Sequence, residues 1–313
     1  MKKLLFVSFV SLIALTLTAC GNQATETAGA GETGTITFAT MPALDAFPVF
    51  LAYEMGFFAD EGLDVNVIPF FAAPERDAAF QAGTDIDGLI FDLIALTLYQ
   101  QGGIDVIAVA SSIGLTYLLG SPEISTLHDL PGHHVLISLN TAMDYVLERA
   151  LGSVGLVQDY VELGFIPPLS LRLETLLAGH ADAAVLPEPF ATMAMNEGFN
   201  SIVNTWELDI NPFSYGFRRE VIENRPQDVL AFFRGLNNAV DFLNTADREE
   251  FIDILIEVVG YPPETRDTLA VPTFPNFATP QIHHVESVLQ FSRDRGLLTM
   301  ELTPHQAIST ILE

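Results

Sequence analysis

The sequence predicts an α/β protein of two lobes, each a mostly parallel sheet flanked by helices. Three observations predict it. Short β-branched segments alternate with helical ones over residues 35–112, the pattern of a parallel sheet covered on both faces. The alternation restarts near residue 133. From "PFSYGF" (212–217) onward the chain reads as mainly helical.

Before the first strand, Lys2 and Lys3 precede the apolar run Leu4 to Leu17. Spanning a bilayer takes about 20 apolar residues, so the run fits the core of a secretory signal instead. Leu17-Thr18-Ala19-Cys20 looks like a bacterial lipobox, which predicts cleavage after residue 19 and acylation of Cys20. An acyl anchor holds through buried methylenes, about 0.8 kcal/mol each. Residues 20–34 are small and polar and read as a flexible tether. The tether contains Gly29-Ala30-Gly31-Glu32-Thr33-Gly34, a match to G-x-G-x-x-G. The dinucleotide motif must follow a strand and open a helix. This one precedes every strand, so the match is rejected. Cys20 is the only cysteine, so disulfides do not staple the fold.

The elements follow in order. "TITFAT" (35–40) is a strand by alternation. "AFPVFLAYEMGFFADEGL" reads as helical, ending near Gly56 or Gly62. "DVNVIPFF" (64–71) is a strand, and "PERDAAFQAG" a helix with Pro74 in its first turn. "IDGLIF" (86–91) is a short buried strand, "DLIALTLYQQGG" a helix, and "IDVIAVASS" (104–112) a strand. In the second unit "HHVLIS" (133–138) is a strand. "NTAMDYVLERALGSVGL" is a helix capped by Asn140 or Thr141. Then come "VELGFI", "LSLRLETLLAG", "ADAAVLP", "PFATMAMNEG" and "SIVNTW", alternately strand and helix. Two long amphipathic segments, "RPQDVLAFFRGLNNAVDFLNTA" and "EEFIDILIEVVG", and a last helical stretch complete the chain. The expected organisation is therefore signal 1–19, tether 20–34, first part of lobe I 35–112, lobe II 113–213, and a return to lobe I with C-terminal helices over 214–313.

The 49% hydrophobic content supplies sizeable cores. Net charge is -27, from 40 acidic and 13 basic residues. Both lysines lie in the signal, so 11 arginines then face 40 carboxylates, a net charge of -29. Such a surface repels nucleic acid and anionic head groups. It leaves room for a small anion held in a local arginine pocket. Only Arg76 and Arg172 lie near plausible strand–helix turns where they could hold one, and both also read well as solvated helix residues.

"PALDAFPVFLAYEMGFFADEGLDVNVI" resembles the opening of the SsuA/THI5-like (NMT1-like) solute-binding proteins. The residues that carry the likeness are Gly56, Phe57, Phe58, Glu61, Gly62, Leu63, Asp64 and Val65. "LLAGHADAAVLPEPF" and "FRREVIENRPQDVLAFFRGLNNAVDFLN" resemble later segments of that family, and the likeness spans about 36–245. It implies a type II periplasmic-binding-protein-like fold with a ligand cleft between the lobes. It further implies an extracytoplasmic, lipid-anchored monomer that delivers a solute to the permease and ATPase of an ABC importer. Solutes in the family are riboflavin, thiamine pyrimidine precursors, aliphatic sulfonates, taurine and nitrate-like anions.

Ligands of open α/β sheets sit beyond the carboxyl ends of the strands. That rule nominates Met41, Asp45 and Phe47, then Phe70 and Phe71, Phe91 and Asp92, and Ser111 and Ser112 in lobe I. In lobe II it nominates Asn140 and Thr141 at a helix N-terminus, Glu188 and Phe190, with Tyr215 near the return crossing. Aromatic faces with a few carboxylates suit a flat, nearly neutral heterocycle. Riboflavin is expected first and a pyrimidine second, with an aliphatic sulfonate or nitrate-like anion as the alternative.

No enzyme chemistry is expected. A pyridoxal phosphate aldimine needs a lysine, and none remains after cleavage. Cys20 is the lipid site, and no G-x-S-x-G elbow supports a serine triad. His133-His134 and His283-His284 are adjacent pairs, whose side chains diverge on a strand or helix. Neither a metal site nor a cofactor is expected.

Overall fold

The computed structural model describes residues 34–83 and 85–313. The signal, Cys20, the glycine-rich match up to Thr33 and all but the last residue of the tether lie outside the described residues.

The chain opens with β1 (Thr35–Thr40), α1 (Phe47–Glu54), α2 (Phe57–Asp60), β2 (Asp64–Pro69), α3 (Ala73–Gln81), β3 (Gly88–Asp92), α4 (Leu93–Gln101) and β4 (Val106–Ser111). It crosses to β5 (Thr116–Gly120), β6 (His134–Ile137), α5 (Ala142–Ser153), β7 (Glu162–Phe165), α6 (Leu169–Leu177), β8 (Ala183–Pro187), α7 (Phe190–Asn196) and β9 (Asn200–Asn204). It then returns through β10 (Phe213–Arg218), α8 (Arg219–Asn224), α9 (Pro226–Thr245), α10 (Ile252–Val259), α11 (Ile282–Asp294) and α12 (Pro304–Ala307). Among the described residues, no helix is long and apolar enough to cross a membrane.

Two five-stranded sheets result, β2-β1-β3-β10-β4 in lobe I and β7-β6-β8-β5-β9 in lobe II. This is the two-lobed α/β fold that the sequence predicts. Four strands of each sheet run parallel, and one antiparallel strand, β10 or β5, fills the fourth place. The two antiparallel strands are absent from the sequence reading. β10 falls where the chain reads as helical, and β5 lies in a stretch with no assigned element.

The lobes repeat one construction. Asp87, just before β3, accepts the Thr37 N–H of β1 at 2.8 Å. Asp182, just before β8, accepts the His134 N–H of β6, also at 2.8 Å. Each aspartate returns its own N–H to the carbonyl of the same partner, at 2.9 Å. These bonds fix the register of β1 with β3 and of β6 with β8.

Three apolar cores hold the layers. One packs α1, α9 and α10 on the outer face of lobe I, around Phe38, Phe217, Phe232 and Phe233. Phe38 and Phe232 lie 4.7 Å apart, ring to ring. A second covers the outer face of lobe II with α6 and α7. The third is shared: α4, α5 and α11 bring together residues of both lobes. In it Phe291 of α11 meets the Tyr145 ring of α5 edge-on at 5.4 Å. The Tyr145 hydroxyl donates to Ser287 at 2.9 Å. Arg295, past the end of α11, bonds Asp144 at 3.1 Å and Glu148 at 3.0 Å. So α11 braces both lobes.

Two crossings join the lobes, residues 112–115 and 205–212. They are cross-linked. The buried Thr205 hydroxyl donates to Gly114 O at 2.7 Å and accepts the Thr116 N–H at 3.2 Å. Asn211 donates to Ser112 O at 2.7 Å, and the Trp206 indole to Ile113 O at 2.9 Å. Gly114 sits at φ +58°, and a Cβ there would stand 2.3 Å from the Asn211 amide oxygen. Only glycine fits that position.

Candidate functional site

A cleft with about 940 Å³ of empty space, part of it open to solvent, lies between the lobes. Its walls come from the carboxyl ends of β1, β2 and β3 in lobe I and of β6, β7 and β8 in lobe II, with the first crossing and Phe213 at the start of β10 as the floor. This is where parallel-sheet topology places ligands.

Of the residues nominated from the sequence, Met41, Asp45, Phe71, Phe91, Asp92, Thr141 and Glu188 line the cleft. Asp45 stands in the turn before α1, half-buried. Burial pushes its carboxyl up to about 6, against the pull of the Arg76 charge and of backbone N–H groups. Asp92 caps α4, accepting the Ala95 N–H at 2.8 Å. Its other oxygen accepts the Ala142 N–H of α5 at 3.3 Å, a bond from lobe I to lobe II. Burial raises its carboxyl, and the charge of Asp77 adds to the rise. Glu188 is buried past the end of β8 and accepts from the Thr192 N–H at 3.1 Å and hydroxyl at 3.0 Å. Burial raises it too, and the Tyr261 phenol, which packs with the lobe I core, faces it. Thr141 caps α5, accepting the Met143 N–H at 3.2 Å and donating to Ser138 O at 2.8 Å. Phe71 is 78% exposed at the mouth, whereas Phe91 is 1% exposed beneath the floor.

Phe47, Ser111, Asn140 and Tyr215 do not line the cleft, nor do Phe70, Ser112 and Phe190. Phe47 starts α1 on its inner face, with its ring 6.5 Å from Phe251 in the core. Ser111 ends β4 and donates its N–H to Ala278 O at 3.0 Å. Asn140 takes a left-handed turn at φ 58°, with its N–H on Asp144 at 3.0 Å. Tyr215 is fully buried among Phe38, Phe233 and Phe277. Its hydroxyl donates to the Asp45 carbonyl, so it supports the cleft from behind.

The sequence reading of the arginines is corrected. Neither is solvated: Arg76 is 6% exposed and Arg172 0%. Arg76 lines the cleft, but its charge is paired, with Nε and Nη2 on Asp77 at 2.9 and 2.7 Å and Nη1 on Ile90 O at 2.8 Å. Arg172 donates to Val185 O at 2.7 Å, to Ile166 O at 2.9 Å and to the Ser138 hydroxyl. It thereby ties the ends of β6, β7 and β8. Burial pulls its guanidinium down to about 10. Thr40, Ser138, Met143 and Phe213 also line the cleft and are absent from the sequence list. Thr40 ends β1, Phe213 opens β10, Ser138 follows β6 and Met143 lies in the first turn of α5, all at element ends where no periodicity singles out one side chain.

Residues 44–249 match the family model described as NMT1/THI5 like. A Brucella abortus (strain 2308) protein, named for a binding role without a stated ligand, is 26% identical over 217 residues. That alignment covers 65% of this chain, and the chain spans 65% of the relative's length. Among solved structures, the alkanesulfonate-binding protein SsuA of Xanthomonas axonopodis pv. citri, bound to MOPS, is similar with a TM-score of 0.75 at 20% identity, covering 90% of this chain and 99% of that one. The periplasmic aliphatic sulphonate binding protein SsuA of Escherichia coli gives 0.76 at 18% identity, covering 88% and 92%. At these identities the structures establish the two-lobed binding-protein fold. The family match covers most of the folded chain, and the chain belongs to the NMT1/THI5-like family.

Proposed function

We propose that the protein captures a small solute between its lobes and hands it, chemically unaltered, to the permease of an ABC importer. Lobe I comprises 35–112 and 214–313, lobe II 113–213, and closure about the two crossings buries the solute. Acylated Cys20 holds the protein at the outer side of the membrane, which raises its effective concentration at the permease. The solute is a planar heteroaromatic molecule rich in N–H or O–H donors, riboflavin first and a thiamine pyrimidine precursor second. Asp45, Asp92 and Glu188 accept its donors, and Phe71 offers a ring face.

The charge of the cleft carries this reading. Among its lining residues Asp45, Asp92 and Glu188 are acidic, and Arg76 is the only basic one. The charge of Arg76 is already paired with Asp77. The first N–H groups of α5, the natural seat for an anion, are taken as well: Ala142 donates to Asp92 and Met143 to Thr141. A sulfonate would therefore meet carboxylates and no free cation. The similar structures named for sulfonate binding favour the anion reading, and the panel below includes it.

The test is thermal denaturation of ligand-free protein with riboflavin, an aminopyrimidine, an alkanesulfonate or nitrate. A ligand at 100 times its Kd adds about 2.7 kcal/mol of stability. A flavin or aminopyrimidine is expected to raise Tm. A rise with sulfonate or nitrate alone would overturn the solute assignment while leaving the binding role intact.

A further inference from the structure

On the outer side of the second crossing, Asp209, His283 and His284 converge. Each offers one ligand atom within 4.8 Å of the other two. Asp209 is held in a left-handed turn at φ 52°, with its N–H on Trp206 O at 3.1 Å. His283 and His284 occupy the first turn of α11. Adjacent helical side chains ordinarily diverge by about 100°, yet these rings lie 4.0 Å apart, tilted by 56°. That geometry corrects the expectation that the pair splits between two faces.

The His284 Nε2 atom is buried and has no hydrogen-bond partner. A buried nitrogen left bare costs about 1–3 kcal/mol, and such an atom calls for an explanation. Asp209 alone is accounted for without a metal, because a carboxylate near a helix N-terminus is favourable in itself. That account leaves the bare His284 nitrogen unexplained.

We propose that Asp209, His283 and His284 form a binding site for a divalent transition-metal ion of the zinc type, which fastens the second crossing to α11. Two imidazoles and one carboxylate suit zinc-like ions better than calcium or magnesium, which take oxygen donors. Three protein ligands leave a fourth tetrahedral position for water. Asp209 and His283, both exposed, keep that position open to solvent. The strongly negative chain draws cations toward its surface. The location gives the ion a structural task. The second crossing runs between the lobes, and α11 already braces both of them. A metal at this seam restrains rotation of the crossing against its brace.

The experiment is calorimetric titration of the chelator-stripped full chain with ZnCl2, with visible absorption of the Co2+ form as a second readout. One Zn2+ per chain is expected, with four-coordinate Co2+ bands. His284→Ala and Asp209→Asn should each weaken binding by at least about tenfold, the lower end of what even an outer-shell partner costs. The control is His133→Ala with His134→Ala. Those histidines lie on lobe II beside Asp182 and His180, and the pair of changes should leave Zn2+ affinity unaltered. Should His284→Ala fail to fold by circular dichroism, the exposed His283→Ala reports on the same donor set. Absence of saturable Zn2+ uptake, or equal affinity in wild type, Asp209→Asn and His283→Ala, would overturn the proposal.

Discussion

Arg76 and Arg172 occupy the same place in the two lobes. Each lies on the helix after an edge strand, and each gives Nη1 to a carbonyl of the third strand, Ile90 or Val185. The difference is the partner: Arg76 has Asp77 beside it, whereas Arg172 has no carboxylate partner among the described residues and binds carbonyls and a hydroxyl. Asp45 feels Arg76 only in part, and burial dominates. Its carboxyl sits at about 6 in the folded protein against 3.8 in the open chain. Between those values the native state holds a proton that the unfolded state lacks, so stability falls as pH rises through this window and levels off above it. Asp45→Asn removes the effect. The variant is expected to match wild type below pH 4 and to exceed it by about 1–2 kcal/mol at pH 7.5, after allowance for solvent at the half-buried group. Urea melts across that range check it, and a constant difference at every pH would refute the assignment. The carboxylates of the cleft were legible in the sequence because strand ends point there. The arginines were not, because an arginine on a helix of mixed composition looks the same whether it faces water or three carbonyls.

At the scale of elements, the parallel strands announced themselves through β-branched runs and glycine stops. β5 and β10 did not. "TYLLG" is a five-residue run without alternation, and "FSYGFR" carries a glycine that weakens a strand signal. That glycine is required by packing. A Cβ on Gly216 would stand 2.3 Å from the Phe91 ring and 2.7 Å from the Ile107 carbonyl, so β10 slips between β3 and β4 only because the position is bare. Gly216→Ala is expected to destabilise the protein by about 1–3 kcal/mol through overpacking. Because Phe91 lines the cleft, solute affinity should fall with it. A denaturant midpoint unchanged from wild type would show that the sheet absorbs the methyl group. Asp92 and Glu188 extend the lobe repeat, since each stands at the carboxyl end of the third strand and accepts an N–H from the next helix, Ala95 or Thr192. One construction, used twice, thus sets a carboxylate at each lip.

At the scale of the molecule, the lobes touch across the cleft through Asp92 and the Ala142 N–H. Asp92→Ala removes that link together with the α4 cap, at a cost of about 1 kcal/mol for the cap. The ligand-free variant is expected to show a larger radius of gyration by small-angle scattering, and Asp92→Asn, which keeps an acceptor, to recover much of the compact state. Identical scattering curves for wild type and Asp92→Ala would mean that other contacts hold the lobes. The placement of β10 has one more consequence, for synthesis. The strand that fills the slot between β3 and β4 is made only after the whole of the second lobe. Until residues 213–218 emerge, the first sheet carries a vacant lane with two raw edges. A nascent chain cut short anywhere before that point cannot close its own first half, which makes premature termination products prone to stick together.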